Sequence, residues 1–267
     1  MALESRLVII TGGIGGLGCA VGKVLLSEGA HLALLYAPFE ASRVEQVLQD
    51  TYNIQNRSSP KIHTFECDIT SSDSVTAAFS KIQSDKPASV AFPSILINAA
   101  GYVNLTPLAD TPPEDMIKHL NVNLLGPFLA AQSFHKLYMH AKNEQGSSAP
   151  GGRIVNLASQ AAHVALDQTG AYCASKSGLI ALTRCMASEW GSMGIVANSV
   201  SPGPVWTELG KKAWSDTRAR DSYQAQIPTG NFAEPEEIAA TVAFLCQELA
   251  LNINGTDIRV DGGYTAR

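Results

Sequence analysis

Tyr172 and Lys176 are the residues whose types and spacing most clearly suggest chemistry. They stand four residues apart in Tyr172-Cys173-Ala174-Ser175-Lys176, and that spacing places both side chains on one face of a helix. A free phenol has a pKa of about 10 and is a poor base at neutral pH, but a nearby ammonium favours the phenolate. The pair could therefore take a proton from an alcohol or give one to a carbonyl oxygen.

Ser159 is a third polar residue that belongs with this pair. It lies thirteen residues before Tyr172, at the end of a predicted strand. Its hydroxyl could bind a substrate oxygen and stabilise developing negative charge, or it could only cap the strand end. A tyrosine and a lysine at this spacing alone would often be plain surface residues of a helix. On these residues alone both interpretations of the pair stay open.

A glycine-rich turn lies between the first apolar run and the first amphipathic stretch. It reads Thr11-Gly12-Gly13-Ile14-Gly15-Gly16-Leu17-Gly18. Glycine permits a tight turn and a close approach of a phosphate to the backbone, while the start of the following helix offers free N–H groups and a positive dipole end. The turn predicts a dinucleotide pyrophosphate site; a tight turn that binds nothing is the alternative.

The elements that must position these residues alternate along the chain. Short apolar runs predict strands at 7–10, 31–36, 61–67, 94–98, 153–158, 195–200 and 258–260. Amphipathic stretches predict helices at 17–27, 41–52, 72–81, 171–190 and 235–249, and one or two helices at 114–137. The polar segment 142–152 predicts a surface loop. This alternation is typical of an α/β fold, here a doubly wound Rossmann fold with a mostly seven-stranded parallel sheet and helices on both faces. We expect one such domain over residues 1–267.

Composition and charge exclude several classes of protein. The 267 residues are 45% hydrophobic and 16% charged with a net charge of −5, which is an ordinary globular composition without the basic field of a nucleic-acid binder. No apolar run reaches membrane-spanning length, and the N-terminus lacks the pattern of a signal peptide. The five cysteines show no metal or redox spacing, and free thiols predict a cytoplasmic location.

Several motifs together resemble those of the short-chain dehydrogenase/reductase family. Thr-Gly-x-x-x-Gly-x-Gly in the turn and Tyr-x-x-x-Lys later are the family's signature patterns, and other motifs follow in the family's order over essentially the whole chain. These are Asp68 after the third strand, Asn98-Ala99-Ala100-Gly101 after the fourth, Asn123 in the next helix, Ser159, and Ser201-Pro202-Gly203 after the sixth strand. Ala99 departs from the family pattern, which has asparagine there.

The resemblance implies an NAD(P)(H)-dependent oxidoreductase that interconverts a carbonyl and a secondary alcohol by hydride transfer. It implies that Tyr172 is the general acid/base, Ser159 binds the substrate oxygen, and Lys176 also holds the nicotinamide ribose. Asn123 would orient a water that links Lys176 to solvent; Asn121 is its competitor, and a structural role for Asn123 stays open. The implied cofactor-binding positions are Gly12, Ile14, Gly16, Leu17, Gly18, Tyr36, Arg43, Asp68, Ile69, Asn98, Ala99, Ala100, Gly101, Tyr172, Lys176, Pro202, Gly203, Val205 and Thr207.

The end of the second predicted strand bears on which nicotinamide is used. A carboxylate there binds the ribose hydroxyls of NAD and repels a 2′-phosphate, but this chain has Tyr36 at that position. Arg43 is the nearest basic candidate for a phosphate, or else a solvated helix residue, and the turn offers only Gly15 where NADP enzymes often carry a basic residue. The sequence favours NADP(H) over NAD(H).

The pocket for a small carbonyl or alcohol substrate should be walled by three segments. A substrate loop at about 202–228 is the main one, and the candidate wall residues are Gln160, His163, Gln168, Tyr102, Val103, Trp206, Leu209 and Trp214. A polyol or sugar ketone, a 3-oxoacyl thioester and a small cyclic ketone all stay open as substrates.

The rival functions are a non-catalytic dinucleotide-binding or scaffold protein on the same fold and a relative that performs epimerisation or dehydration. The resemblance also implies a homo-oligomer, a tetramer or a dimer, with Leu179, Leu182 and Met186 facing either the partner or the core.

Overall fold

The molecule is built around one parallel sheet. The computed structural model describes residues 2–54, 59–84 and 91–266. Seven parallel strands pair in the order β3-β2-β1-β4-β5-β6-β7. The strands are Arg6–Thr11 (β1), His31–Tyr36 (β2), Ile62–Glu66 (β3), Phe92–Asn98 (β4), Gly152–Leu157 (β5), Ile195–Pro202 (β6) and Asp257–Val260 (β7). The predicted doubly wound α/β fold is therefore confirmed.

Helices cover both faces of this sheet. They are Gly16–Ser27 (α1), Val44–Tyr52 (α2), Ser72–Ser84 (α3), Pro113–Leu120 (α4), Gly126–Gln145 (α5), Gly170–Trp190 (α6), Glu208–Ala213 (α7), Thr217–Gln224 (α8) and Pro235–Cys246 (α9). Val8 and Ile10 of β1 lie in one buried cluster with residues of α1 and α9, while Leu7 and Ile9 lie in a second with residues of α3 and α5. Since successive strand residues point to opposite faces, the continuous apolar run of β1 serves both clusters.

The strand order reverses beside β1. The chain adds β2 and β3 on one side of β1 and then returns to place β4 on its other side. In doubly wound folds ligands bind in the crevice beyond the carboxyl ends of the strands at such a point. The glycine-rich turn follows β1 directly, so the fold puts it at the mouth of this crevice.

Three predicted boundaries are wrong. The predicted loop 142–152 is helical at its start, because α5 continues to Gln145 and ends at Gly146 with a φ of 70°; its polar residues reflect exposure, which a helix tolerates. Residues 41–43 belong to a short 3₁₀ turn, Pro38–Arg43, before α2. The last helix ends at Cys246, and a separate turn, Glu248–Ala250, follows it.

Two further observations concern the helices and the cysteines. Among the described residues no helix combines the length and the apolar character that crossing a membrane requires. All five cysteines are free thiols.

Candidate active site

The predicted catalytic residues come together beyond the carboxyl end of β5. Ser159 lies two residues after this strand, and Tyr172 and Lys176 lie on α6 beside it. Lys176 is 4% exposed and its Nζ donates to the carbonyl oxygen of Leu157 at 2.7 Å. The same Nζ is 5.8 Å from the centroid of the Tyr172 ring. The four-residue spacing on the helix therefore places the Lys176 ammonium close to the Tyr172 phenol, and these two residues with Ser159 form one corner of the site.

A hydrogen bond joins the Tyr172 hydroxyl and Ser159 in this corner. Burial raises the pKa of Tyr172 above that of a free phenol, and the bond with Ser159 opposes this rise. Burial also lowers the pKa of Lys176 to about 8. The expectation that the pKa of the phenol lies below its usual value is wrong for the protein alone, because burial disfavours the phenolate.

Asn123 is held in a wide turn that interrupts the predicted helix 114–137. Residues Asn121–Leu125 form a π-helical turn between α4 and α5, a feature that often marks functional sites. The buried Asn123 side chain accepts from the Tyr102 N–H at 2.8 Å, donates to the Tyr102 carbonyl at 2.8 Å, and donates to Ser175 Oγ at 3.0 Å. It thus connects the segment after β4 to the helix that carries Tyr172.

His119 is a buried residue of this site that the sequence did not suggest. Its side chain is 0% exposed, and its ring lies 4.7 Å from the ring of Tyr102 and 6.3 Å from that of Tyr172. Nε2 accepts from the backbone N–H of Asn104 at 3.1 Å, so Nδ1 carries the proton toward the Asp115 carbonyl at 2.8 Å. The only available signal was its position one helical turn before Asn123.

Asn98 belongs to a buried chain of side-chain hydrogen bonds across the sheet. Its Nδ2 donates to Asn156 Oδ1 at 2.8 Å, and Asn156 Nδ2 donates to Thr183 Oγ1 at 2.8 Å. Thr11 Oγ1 lies 3.4 Å from Asn98 Oδ1 and accepts from the N–H of Ala100 at 3.3 Å. This chain fixes the glycine-rich turn relative to the Asn-Ala-Ala-Gly turn.

The glycine-rich turn has the shape and the free donors that a pyrophosphate needs. Gly15 precedes α1 and offers no side-chain cap, so the first N–H groups of the helix remain for another acceptor. Gly12 has a φ of +63°, and a Cβ there would lie 2.8 Å from the Ala100 backbone. A Cβ on Gly16 would lie 2.8 Å from Thr207 Cγ2, which places Thr207 against the turn. These residues fit a nicotinamide dinucleotide.

The other predicted cofactor positions differ in how much of each residue is free to contact a ligand. The side chains of Ile14 and Tyr36 are 2% and 8% exposed within a core cluster, which leaves mainly their backbone atoms for a ligand. The Asp68 carboxylate accepts from the N–H and the Oγ1 of Thr70 at 2.9 and 2.7 Å. Ile69 packs on the start of α5 at Gly126. The remaining predicted positions lie on the turns that follow β1, β4 and β6 or at the ends of neighbouring elements; they are Leu17, Gly18, Ala99, Gly101, Pro202, Gly203 and Val205.

Arg43 and Glu40 form a local pair after β2. Glu40 Oε2 accepts from the backbone N–H of Ala37 at 3.0 Å, and its Oε1 is 3.7 Å from Arg43 Nη1. The arginine side chain is 62% exposed and the glutamate 15%. A carboxylate therefore lies near the end of β2 after all, supplied by Glu40, four residues beyond the strand.

The predicted substrate loop is anchored by aromatic side chains. Trp206, Trp214 and Tyr223 surround the buried Phe232 with ring centroids 5.1, 5.0 and 6.1 Å away. The segment contains α7 and α8, and the side chain of Leu209 lies outside the described part of the structure. His163 pairs with Asp257 of β7 at 2.8 Å.

A cleft of about 410 Å³ opens beside this loop. It is lined by Val164, Ala165, Ala225, Gln226 and Tyr264. Its volume lies within the range of small-molecule sites. The carbonyl oxygen of Val164 lies 3.9 Å from Sγ of Cys173, the residue after Tyr172.

Comparison with known proteins agrees with this geometry. A family model described as enoyl-(acyl carrier protein) reductase matches residues 12–265. A D-threitol dehydrogenase from Mycolicibacterium smegmatis is 37% identical over 99% of this chain and 95% of its own length. The chain belongs to the short-chain dehydrogenase/reductase family. As a member, it is an NAD(P)(H)-dependent oxidoreductase that interconverts an alcohol and a carbonyl.

Two further relatives of this short-chain dehydrogenase cover nearly the same length. An NAD-dependent glycerol dehydrogenase from Listeria innocua is 33% identical over 99% of this chain and 96% of its own. The structure of a short-chain dehydrogenase/reductase from Serratia marcescens superposes with a TM-score of 0.84 at 28% identity, covering 99% of this chain and 100% of that one. Fold and family thus agree over the whole length.

Proposed function

We propose that this short-chain dehydrogenase acts on polyols, oxidising one secondary hydroxyl to a ketone and reducing the ketone in the reverse direction. The observation that carries the chemistry is the corner in which Tyr172 is hydrogen-bonded to Ser159 beside the buried ammonium of Lys176. The substrate class is supported by relatives whose names are D-threitol dehydrogenase and glycerol dehydrogenase. The alternative of a 3-oxoacyl thioester is supported by a 3-oxoacyl-(acyl-carrier-protein) reductase from Aquifex aeolicus at a lower identity of 31%.

Each residue of the corner has a part in moving the proton. Ser159 holds the substrate oxygen, and Tyr172 Oη takes the hydroxyl proton during oxidation or returns one during reduction. When bound, the nicotinamide accepts or supplies the hydride. Because burial raises the pKa of Tyr172, the phenol needs neighbouring positive charge to act as a base at neutral pH.

Lys176 and Asn123 provide the path for this proton to solvent. A Cβ on Gly101 would lie 3.7 Å from Asn123 Oδ1 and 3.8 Å from Lys176 Nζ, so there is space for a water-sized group beside both atoms. A water there would connect the ammonium to the exposed turn at Gly101. This supports the role for Asn123, in preference to Asn121.

The cofactor is held by the turn after β1 and by the turns after β4 and β6, at the positions predicted from the sequence. We propose NADP(H) as the preferred form, because Tyr36 stands where NAD enzymes have an acid. Glu40 weakens this preference for NADP(H), because its carboxylate accepts a hydrogen bond from the Ala37 N–H and lies near Arg43. A 2′-phosphate would compete with the Glu40 carboxylate for both donors.

The remaining parts of the proposal concern the whole chain. We propose that residues 1–267 act as one domain, that 202–228 forms the substrate loop, and that the enzyme is a cytoplasmic dimer or tetramer. Leu179 and Met186 are 0% and 3% exposed, so they pack in the core and lend no support to a subunit contact. Exposed Leu249 and Leu251, just before β7, lie at a better candidate surface.

A substrate panel tests the proposal directly. D-Threitol, glycerol, a 3-oxoacyl thioester and a cyclic ketone are each offered with both oxidised and reduced cofactors, and nicotinamide absorbance is followed. Turnover of the polyols, above that of the other classes, is expected. Tight dinucleotide binding without turnover of any compound would instead favour the rival, a non-catalytic dinucleotide-binding protein.

A further inference from the structure

Gln160, the residue after Ser159, has a buried polar atom that its surroundings leave unused. Its side chain is 3% exposed, and its Oε1 has no hydrogen-bond donor among the described residues. Buried side-chain acceptors are almost always paired in native proteins, because leaving one unpaired costs free energy. An unpaired oxygen next to a catalytic serine therefore calls for a partner that arrives with the substrate.

The amide of Gln160 is fixed in place by the substrate loop. Its Nε2 donates to the hydroxyl of Tyr223 on α8. Tyr223 in turn stacks on Tyr264 with ring centroids 5.1 Å apart and parallel planes. Burial raises the pKa of Tyr223, so this hydroxyl stays protonated. Tyr223 also hydrogen-bonds to Tyr264, so its oxygen accepts from Gln160 Nε2 and the amide oxygen is left without a partner.

The free oxygen is covered by its neighbours at the carboxyl end of the sheet, the end at which ligands bind in doubly wound folds. A Cβ on Gly203 would be 3.0 Å from Oε1, so the oxygen lies against the turn that follows β6. Ser159, which binds the reacting oxygen in the proposed mechanism, ends the turn after the neighbouring β5. Tyr264, the partner of Tyr223, lines the open cleft. Gln160 is thus connected to the cleft wall through Tyr223 and Tyr264, and to the reacting corner through its chain neighbour Ser159.

We propose that Gln160 Oε1 accepts a hydrogen bond from a second hydroxyl of the substrate, on a carbon next to the one that reacts. This inference rests on the proposed polyol function and sharpens it to a vicinal diol unit. A hydroxyl can donate to Oε1, whereas a methyl or methylene group at the same place would bury the oxygen unpaired. A site built in this way discriminates strongly against an analogue that lacks the hydroxyl.

Two four-carbon alcohols and one isosteric variant test the inference. The wild-type holoenzyme and Gln160→Met are assayed with D-threitol and 2-butanol, and the ratio of the two kcat/KM values is the readout. Loss of one hydrogen bond to a buried group predicts that this ratio falls roughly 10- to 100-fold in Gln160→Met. Gln145→Met, the same change at an exposed glutamine, is the matched control and should keep the ratio.

Other outcomes overturn the inference in distinguishable ways. Equal losses on both alcohols, with weaker cofactor binding in a fluorescence titration, would assign the amide to the nicotinamide. If the wild type oxidises 2-butanol and D-threitol with equal kcat/KM, the inference is overturned but the oxidoreductase reaction stands. If the wild type oxidises neither alcohol, the proposed polyol function is overturned too. If Gln160→Met does not fold, Tyr223→Phe replaces it as the test, because this variant removes the hydroxyl that holds the Gln160 amide. It is expected to lower the ratio of the two kcat/KM values about threefold or more, and an unchanged ratio refutes the proposal.

Discussion

Burial controls the acid–base behaviour of single residues in this active site. Tyr172 and Lys176 are both removed from water, and each is shifted toward its neutral form. Desolvation always acts in this direction, whereas a neighbouring charge can act in either. Burial raises the pKa of Tyr172, whereas the positive charge of a bound oxidised cofactor would lower it. The protonation state of the phenol depends on which effect is larger.

The first prediction concerns the stability contributed by Lys176. Its pKa is about 8 in the folded chain against 10.5 as a reference, so between these values the unfolded chain binds more protons and stability rises with pH. The difference corresponds to about 3 kcal/mol. Urea unfolding from pH 7 to 10.5 should show the wild type gaining about that amount relative to Lys176→Met.

A matched control separates this effect from general charge effects. Lys136→Met removes an exposed lysine of α5, and its difference from the wild type should not change over the same pH range. A pH-independent difference for Lys176→Met would mean that Lys176 is not charged and buried at neutral pH. The difference that remains at high pH reports the lost hydrogen bond to Leu157.

The second prediction concerns Glu40 and the choice of cofactor. Glu40→Gln removes the carboxylate from the Ala37 N–H and from Arg43, so a 2′-phosphate no longer meets a competitor or a like charge. The dissociation constant for NADP⁺, measured by fluorescence titration, should fall several-fold, while that for NAD⁺ should not. Arg43→Ala should weaken NADP⁺ binding only, and equal effects on both cofactors would place this pair away from the phosphate.

At the scale of elements, the π-helical turn between α4 and α5 is the feature that completes the site. It carries Asn123, whose amide joins the segment after β4 to α6. Residues Tyr102 and Ser175, at the two ends of this link, come from distant parts of the chain. The turn thus connects the segment after β4 to the helix that carries Tyr172, the proposed acid/base.

The third prediction tests this link. Asn123→Leu leaves the backbone polar groups of Tyr102 and the hydroxyl of Ser175 with fewer partners, and we expect the free energy of unfolding to fall by about 2–3 kcal/mol. Turnover should fall with it. Asn121→Leu, two residues earlier in the same turn, should cost less than about 1 kcal/mol, and an equal cost would assign no special role to Asn123.

The elements show how far the sequence could be interpreted. Strands and motif positions were predictable because apolar runs, glycines and the Tyr-x-x-x-Lys spacing are local patterns. The π-helical turn, the end of α5 at Gln145 and the bond between Gln160 and Tyr223 were not, because each depends on contacts between segments far apart in the chain. The direction of the Tyr172 pKa shift was missed for the same reason: a sequence shows the neighbouring lysine but not the burial.

At the scale of the whole molecule, assembly is the property left to test. Light scattering should give two or four times the 28.3 kDa mass of one chain. Leu249 and Leu251 are 92% and 48% exposed in the segment between α9 and β7, and exposed apolar groups of this kind favour contact with another surface. Replacing both by aspartate should lower the measured mass, and a monomeric wild type at all concentrations would contradict the proposed oligomer.

The central claim is that the Tyr172 hydroxyl transfers the proton while the rest of the site binds the cofactor. It is tested most directly by Tyr172→Phe, with polyol oxidation and cofactor affinity measured on the same sample. Tyr138→Phe, which removes a phenol bonded to Pro150 at the other end of the sheet, is the control. The account predicts that kcat falls at least about 100-fold for Tyr172→Phe alone, while the dissociation constant for the cofactor, which many other positions also hold, changes far less. Undiminished turnover in that variant would contradict it.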